Sequence, residues 1–295
     1  MGTPIHVALT FDDNFWAPAY ATMRSVCYFT RRRADVVFHL IHLGLSDEHR
    51  ADLETISRDY GATLKHYDLS QTDLLTRRIA DLRQVNVPRF HTITYARLFL
   101  FEILPPELGR VIYLDCDMFV RINIERLYEM DLGDKIAAAA YDPYRTAFQT
   151  GRMGAKKRYF DPADPYFNAG MVLFGPECAR LDFIAEIKRI LTPEELQQIY
   201  YDQDVLNLVL AGKWKPLSHR WNLMNPVASD ENIDPFIVHY SGEVKPWQIL
   251  SKTAFKYRYR HMMTNELFYR FWWHNFWRRW NKRLSRLTFG LWRTS

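Results

Sequence analysis

The sequence predicts an α/β fold with a mostly parallel central sheet. Short apolar runs alternate with helical patterns through about the first 240 residues, and those helical patterns are long enough to cross back over a sheet. Several of the apolar runs also end in acidic residues. In open α/β sheets, ligands bind beyond the carboxyl ends of the strands, so these endings point to a site.

Ile5–Phe11 reads as a buried strand stopping at Asp12 and Asp13, residues 16–32 as a helix, and residues 36–43 as a second strand. Ser46 is placed to cap the next helix, with Asp47 and Glu48 in its first turn and Gly61 to stop it. Residues 63–67 make a third short strand. Residues 94–104 are helical up to Pro105 and Pro106, and residues 110–114 form a strand running straight into Asp115-Cys116-Asp117. A further strand over residues 136–140 ends near Asp142. Residues 143–166 show little periodicity but several Gly, Pro and basic residues, and loops of that length are usually functional or disordered. Then follow a strand over Phe167–Phe174, helices over residues 176–191 and 202–211, and a strand over residues 236–240 that leads into SGEVKPW.

The 295 residues suffice for one large domain with an appendage. Cys27, Cys116 and Cys178 are odd in number and lack C-x-x-C spacing, which argues against a disulfide framework or zinc site and favours a reducing compartment. The first residues lack the charged start and apolar core of a signal peptide, and no run reaches about 18 apolar residues, so no transmembrane helix is expected. The net charge of +5 is unevenly spread: from residue 255 onward there are 10 Lys and Arg against one Glu, whereas the preceding part holds 29 basic and 33 acidic residues. The expected division is a mildly acidic body, residues 1–254, and a basic, aromatic tail, residues 255–295.

Three strand ends deliver carboxylates, at Asp12-Asp13, at Asp115 and Asp117, and at Asp142; a fourth carries His239. Carboxylates brought together repel unless a cation neutralises them, so the pattern suggests a metal. Asp115 and Asp117 lie two residues apart just past the apolar run RVIYL, where a bent strand end can turn both toward one divalent ion. A D-x-D by itself is as easily a solvated turn. A mixed oxygen and imidazole shell suits Mn²⁺ better than Ca²⁺. After His239, Gly242 lets the backbone approach a phosphate and Lys245 offers it a point charge.

The segments TFDDNF, ITYARLFLFEILP, RVIYLDCDMFV, YFNAGMVLF, YDQDVLN and HYSGEVKPW, in this order, resemble glycosyltransferase family 8, with most similarity to bacterial lipopolysaccharide α-glucosyl- and α-galactosyltransferases. The resemblance implies a GT-A fold, a UDP-hexose donor, Mn²⁺ (or Mg²⁺) and retention of anomeric configuration. By motif, Asp115, Asp117 and His239 correspond to the metal ligands. Asp12, Asn14 and Phe15 fall where the family holds uracil and ribose; Thr10 and Phe11 depart from the small residues usual there. Arg97, Asp142, Asn168, Asp202 and Gln203 fall at the donor sugar, and Gly242 and Lys245 at the diphosphate. Thr10 and Cys116 complete the implied donor-binding set, while Asp142, Asp202 and Gln203 are the implied catalytic group. Asp202 also reads as a helix cap.

In the tail, a single helix over residues 262–291 would align Met262, Tyr269, Trp273, Trp277, Trp280, Leu284, Leu287 and Leu291, with Arg278, Arg279, Lys282, Arg286 and Arg293 toward the other face. Phe271 and Trp272 fall off that stripe. The pattern suits a helix lying on an anionic membrane surface; the alternative is one docked on the catalytic body. The expected partners are thus a UDP-sugar, a saccharide acceptor and an anionic bilayer, with no nucleic acid, in a cytoplasmic enzyme peripheral to the inner face of the cell membrane. A nucleotidyltransferase would be expected to carry a Gly-rich loop where FDDNF stands, and a non-catalytic adaptor to have lost Asp115, Asp117 or His239.

Overall fold

The computed structural model describes residues 2–81, 89–145, 159–161, 163–197, 199 and 201–291. Its strands are β1 (Ile5–Phe11), β2 (Val36–His42), β3 (Thr63–Asp68), β4 (Val111–Leu114), β5 (Met118–Val120), β6 (Ala137–Tyr141), β7 (Phe167–Phe174), β8 (Trp214–Leu217), β9 (Leu223–Met224) and β10 (Ile237–His239). Seven of them form the central sheet in the order β3-β2-β1-β4-β7-β6-β8, and β5-β10-β9 form a small second sheet. Strands β1 to β4 pair parallel, β7 is antiparallel to both β4 and β6, and β8 is parallel to β6. Only β7 therefore reverses. The carboxyl ends of β1, β4 and β6 share one edge of the sheet, and the amino end of β7 joins them there.

Alternation along the strands builds a core on each face. Val7, Leu9, Ile112 and Leu114 pack into one buried cluster, and Ala8, Val111 and Tyr113 into the other. The helix Trp16–Phe29 ends three residues before the sequence suggests, because Thr30 turns to an extended conformation. Ser46 caps Asp47–Tyr60 by accepting from the His49 amide, and Gly61 ends it at φ +72°.

Other elements depart from the sequence expectation. Residues 94–104 are not one α-helix: a 3-10 run, Arg89–Phe99, leads into a single α turn, Leu100–Ile103. The expected helix over residues 176–191 divides into a 3-10 turn, Pro176–Arg180, and the helix Phe183–Ile190, which Asp182 caps by accepting from the Ile184 and Ala185 amides. Much of the expected 143–166 loop lies outside the described residues. The tail holds two helices, Lys256–Met263 and Asn265–Leu291, separated at Thr264, whose φ of +69° no α-helix accommodates. Phe255, Tyr259, Met263, Leu267, Phe268 and Phe271 join the same buried cluster as Trp16 and Val7. The body's core thus continues past residue 254.

Candidate active site

Asp115 follows β4 directly, and its amide donates to Gly170 O at 2.8 Å, tying the acidic turn to β7. Asp117 precedes β5, which pairs with β10 so that Met118 faces His239. Two sheets thereby converge on one point. Carboxylate oxygens of Asp115 and Asp117 and a ring nitrogen of His239 lie within 4.8 Å of one another. His239 Nε2 is 3.6 Å from Asp115 Oδ2 and 3.3 Å from Asp117 Oδ1.

The histidine's tautomer follows from the surrounding hydrogen bonds. Asn222 Nδ2 donates to Asn168 Oδ1 at 3.0 Å, which turns Asn222 Oδ1 toward His239 Nδ1, also 3.0 Å away. An amide oxygen only accepts, so Nδ1 carries a proton, and in the neutral ring Nε2 is then the nitrogen with a lone pair on the side of the two carboxylates. Asp117 Oδ1 is buried and accepts no hydrogen bond. Three lone-pair donors facing one another over a few ångströms are stable with a cation between them, and the donor set fits a divalent transition ion.

Lys245 Nζ lies 2.7 Å from Asp117 Oδ2 and also donates to Tyr240 O. Burial pushes the Asp117 carboxyl upward, but Lys245 outweighs it, with a further pull from His239 when its ring is protonated, and the carboxyl is held well below the ordinary carboxylate range. Arg97 is fully enclosed. Its Nη2 donates to Asp115 Oδ1 at 2.9 Å and its Nη1 to Ala169 O at 2.8 Å. Its Nε lies 2.6 Å from Asp202 Oδ2 while directing its N–H at Thr94 O. Burial disfavours the guanidinium charge, yet Asp115 and Asp202 more than restore it, raising its pKa. Asp202 itself is pushed up by burial, with Arg97 pulling against the rise. Tyr113, on β4, stacks under Arg97 at 4.5 Å and donates to Asp115 Oδ1 at 3.0 Å, and Thr10 Oγ1 meets its hydroxyl at 2.7 Å.

A second group sits at the β6 and β7 ends. Gln203 Nε2 donates to Asp142 Oδ2 at 3.0 Å, and Asn168 Nδ2 lies 3.3 Å from the same oxygen. Gln203 Oε1 accepts from the Ala169 amide at 3.1 Å. At the β1 end, Asp12 Oδ1 accepts from the Asn14 amide, and Phe15 meets the edge of Trp247. A cavity of about 400 Å³ runs from Phe11, Asp12 and Asn14 past Arg97 to Asp115 and Asp117. Its shape and lining suit a small polar ligand laid across the sheet edge.

The family model for glycosyl transferase family 8 matches residues 6–250. The chain belongs to glycosyltransferase family 8. Similar proteins include General stress protein A of Bacillus subtilis, 23% identical over 88% of this chain and 93% of that one. Probable galacturonosyltransferase-like 6 of Arabidopsis thaliana is 29% identical over 82% of this chain and 74% of its own. The lipopolysaccharide 1,3-galactosyltransferase of Salmonella typhimurium is 26% identical over 82% and 72%. Among solved structures, the galactosyltransferase LgtC in complex with donor and acceptor sugar analogs superimposes with a TM-score of 0.68 at 23% identity, covering 88% of this chain and 95% of that one. The chain is a glycosyltransferase with a GT-A fold.

Every site residue singled out in the sequence falls at this sheet edge or in the segment after β10, but several stand differently from the reading. Arg97 and Lys245 are already paired with carboxylates. Cys116 is buried, its thiol pushed well up by burial and directed at Thr10 O. Gly242 is met by Asn225, whose Oδ1 accepts from the Gly242 amide at 2.6 Å. The sequence reading overlooked Tyr113, Asn222 and Gly170. A Cβ on Gly170 would stand 2.3 Å from His239 Cε1 and 2.7 Å from Asp115 Oδ2, so only glycine lets β7 pass beneath the site.

Proposed function

We propose that this transferase moves a hexose, glucose or galactose, from a UDP-sugar to a saccharide acceptor with retention of anomeric configuration, using Mn²⁺ or Mg²⁺. The observation that carries the reading is His239 Nε2, the ring nitrogen left free of the Asn222 hydrogen bond, set 3.3 Å from Asp117 Oδ1, which accepts no hydrogen bond. Asp115, Asp117 and His239 would hold the ion. When bound, it would offset the negative charge that UDP acquires as it leaves.

The chain's own residues supply the rest. Asp12, Asn14 and Phe15 line the cavity end assigned to uridine, and Lys245 adds positive charge beside the diphosphate. Asp142, held by Gln203 and Asn168, is placed to offset positive charge on the departing sugar ring. Gln203 Oε1 is occupied by the Ala169 amide and is a weak nucleophile, which favours attack from the leaving-group face. In that step the acceptor oxygen bonds to the anomeric carbon as its bond to UDP breaks. The acceptor's proton passes to a phosphate oxygen of the departing UDP.

For the acceptor we favour lipopolysaccharide or another lipid-linked glycan, reached from the inner face of the membrane. Tyr269, Trp273, Phe276, Trp277 and Trp280 are exposed along one side of the final helix, within a segment of ten basic residues and one acidic residue. That combination suits an interfacial helix on an anionic leaflet. No helix of the described residues is long and apolar enough to cross a membrane.

The test is a UDP-release assay across UDP-glucose, UDP-galactose, their N-acetyl forms and a GDP-sugar, with and without Mn²⁺. The reading expects release from a UDP-hexose that needs the ion. Release confined to a GDP-sugar, or indifferent to every divalent ion, would overturn it.

A further inference from the structure

The final helix does more than lie beside the body, because one of its faces closes over the site. Arg270 pairs with Asp52 at 2.8 Å and with Glu48. Phe271 packs edge-on to Trp16 at 5.2 Å. One turn on, His274 Nε2 donates to Asn14 Oδ1 at 3.2 Å and its ring meets Trp16 at 5.0 Å. Residues spaced three and four apart share a helix face, so the next residue over the body is Arg278. It borders the 400 Å³ cavity that holds Asp12, Asn14, Asp115 and Asp117, and also an adjoining one of about 520 Å³ reaching to Lys245 and Trp247.

Charge decides what Arg278 is for. Arg97 is bound by Asp115 and Asp202, and Lys245 by Asp117. Among the described residues Arg278 pairs with no carboxylate; its Nη2 donates to the neutral Asn275 Oδ1, at 3.1 Å. It is the half-buried cation of the cavity that remains uncommitted. A guanidinium is planar and always charged, and its donors match two phosphate oxygens at once.

Building on the UDP-sugar reading above, we infer that Arg278 binds a phosphate of the donor nucleotide, which makes the final helix part of the donor site. Neither the motifs nor the family match, which ends at residue 250, reaches this position. The inference also explains why His274 holds Asn14. That contact fixes the helix over the nucleotide end of the cavity, so that the cation one turn further on arrives at the phosphates.

The experiment is calorimetric titration of the full chain, in Mn²⁺, with UDP and separately with uridine, comparing wild type with Arg278→Gln, Arg278→Lys and Arg258→Gln. Loss of one charge-assisted hydrogen bond weakens binding by about tenfold or more. The inference expects that loss for UDP in Arg278→Gln, unchanged uridine affinity, partial recovery in Arg278→Lys, and no effect in Arg258→Gln, an exposed arginine that lines neither cavity. Equal UDP affinity in wild type and Arg278→Gln would overturn it while leaving the donor reading intact. Equal weakening of UDP and uridine would also overturn it, by showing a displaced helix instead of a lost phosphate contact. A wild-type chain that binds no UDP would remove both.

Discussion

His239 Nε2 stands 3.3 Å from Asp117 Oδ1, while its Nδ1 donates to Asn222 Oδ1 on the other side of the ring. Asn222 fixes the ring by accepting a hydrogen bond from Nδ1, and its own orientation is set by Asn168. Outer partners of this kind are worth about tenfold to a hundredfold in metal affinity. Asn222→Leu is therefore expected to weaken Mn²⁺ binding by about that range while the fold survives. Titration of the ion followed by calorimetry, beside a circular-dichroism melt, checks it. Unchanged affinity in a folded variant would mean that the histidine's tautomer is immaterial.

Gly170→Ala should inactivate the enzyme without touching a ligand residue. Its Cβ would collide with His239 and Asp115, and the carbonyl to which the Asp115 amide donates is Gly170's own. The expected result is loss of Mn²⁺ binding together with UDP release. Full activity in Gly170→Ala would show that the β7 edge can retreat at little cost.

The two faces of the final helix should separate in their effects. Phe271 is buried against Trp16 and Trp247, so Phe271→Ala is expected to lower stability by about 3 kcal/mol, as loss of a buried aromatic ring does. Trp277 and Trp280 are about half exposed. Trp277→Ala with Trp280→Ala should leave the melting temperature near wild type and reduce flotation with anionic vesicles at any salt concentration, because apolar burial is not screened. Flotation equal to wild type in that double variant would remove the membrane-facing role of the stripe.

Acid should destabilise the fold through buried histidines on β2. Burial pushes His39 down to about 3 and His42 to about 4, from an ordinary value near 6.5. Both stay neutral in the folded chain, while the unfolded chain takes up protons below about pH 6.5. Between pH 6.5 and 4 the unfolded state thus binds more protons, so stability rises with pH across that window and is lost as pH falls through it. The melting temperature should fall over this range, and His39→Gln with His42→Gln should flatten the fall. An identical slope in the double variant would place the acid sensitivity elsewhere.

The strand-end carboxylates were legible in the sequence because a parallel sheet brings its carboxyl ends to one edge, so Asp12, Asp115 and Asp142 could be placed together from local patterns. What connects them was not. Trp214–Leu217 is interrupted by Lys215 and Pro216, and Leu223–Met224 is only two residues long, so neither shows as a strand. Asn222 lies between them and follows no motif. The pairing of Arg97 with Asp202 joins residues about 100 positions apart, which periodicity cannot reveal. The break at Thr264 has no glycine or proline to mark it, and that break is what turns Phe271 inward and leaves Trp273 and Trp277 outside.

Electron paramagnetic resonance titration of Mn²⁺ into the full chain, in the presence of UDP, bears most directly on the metal-dependent transfer assigned to this site. Bound Mn²⁺ loses its sharp solution signal, so occupancy can be counted against free ion. Uptake of one ion per chain is expected, abolished in both Asp117→Asn and His239→Ala while their melting curves remain cooperative. Wild-type chain that leaves the solution signal undiminished, or variants that bind as well as wild type, would contradict the assignment of Asp115, Asp117 and His239 as the metal centre.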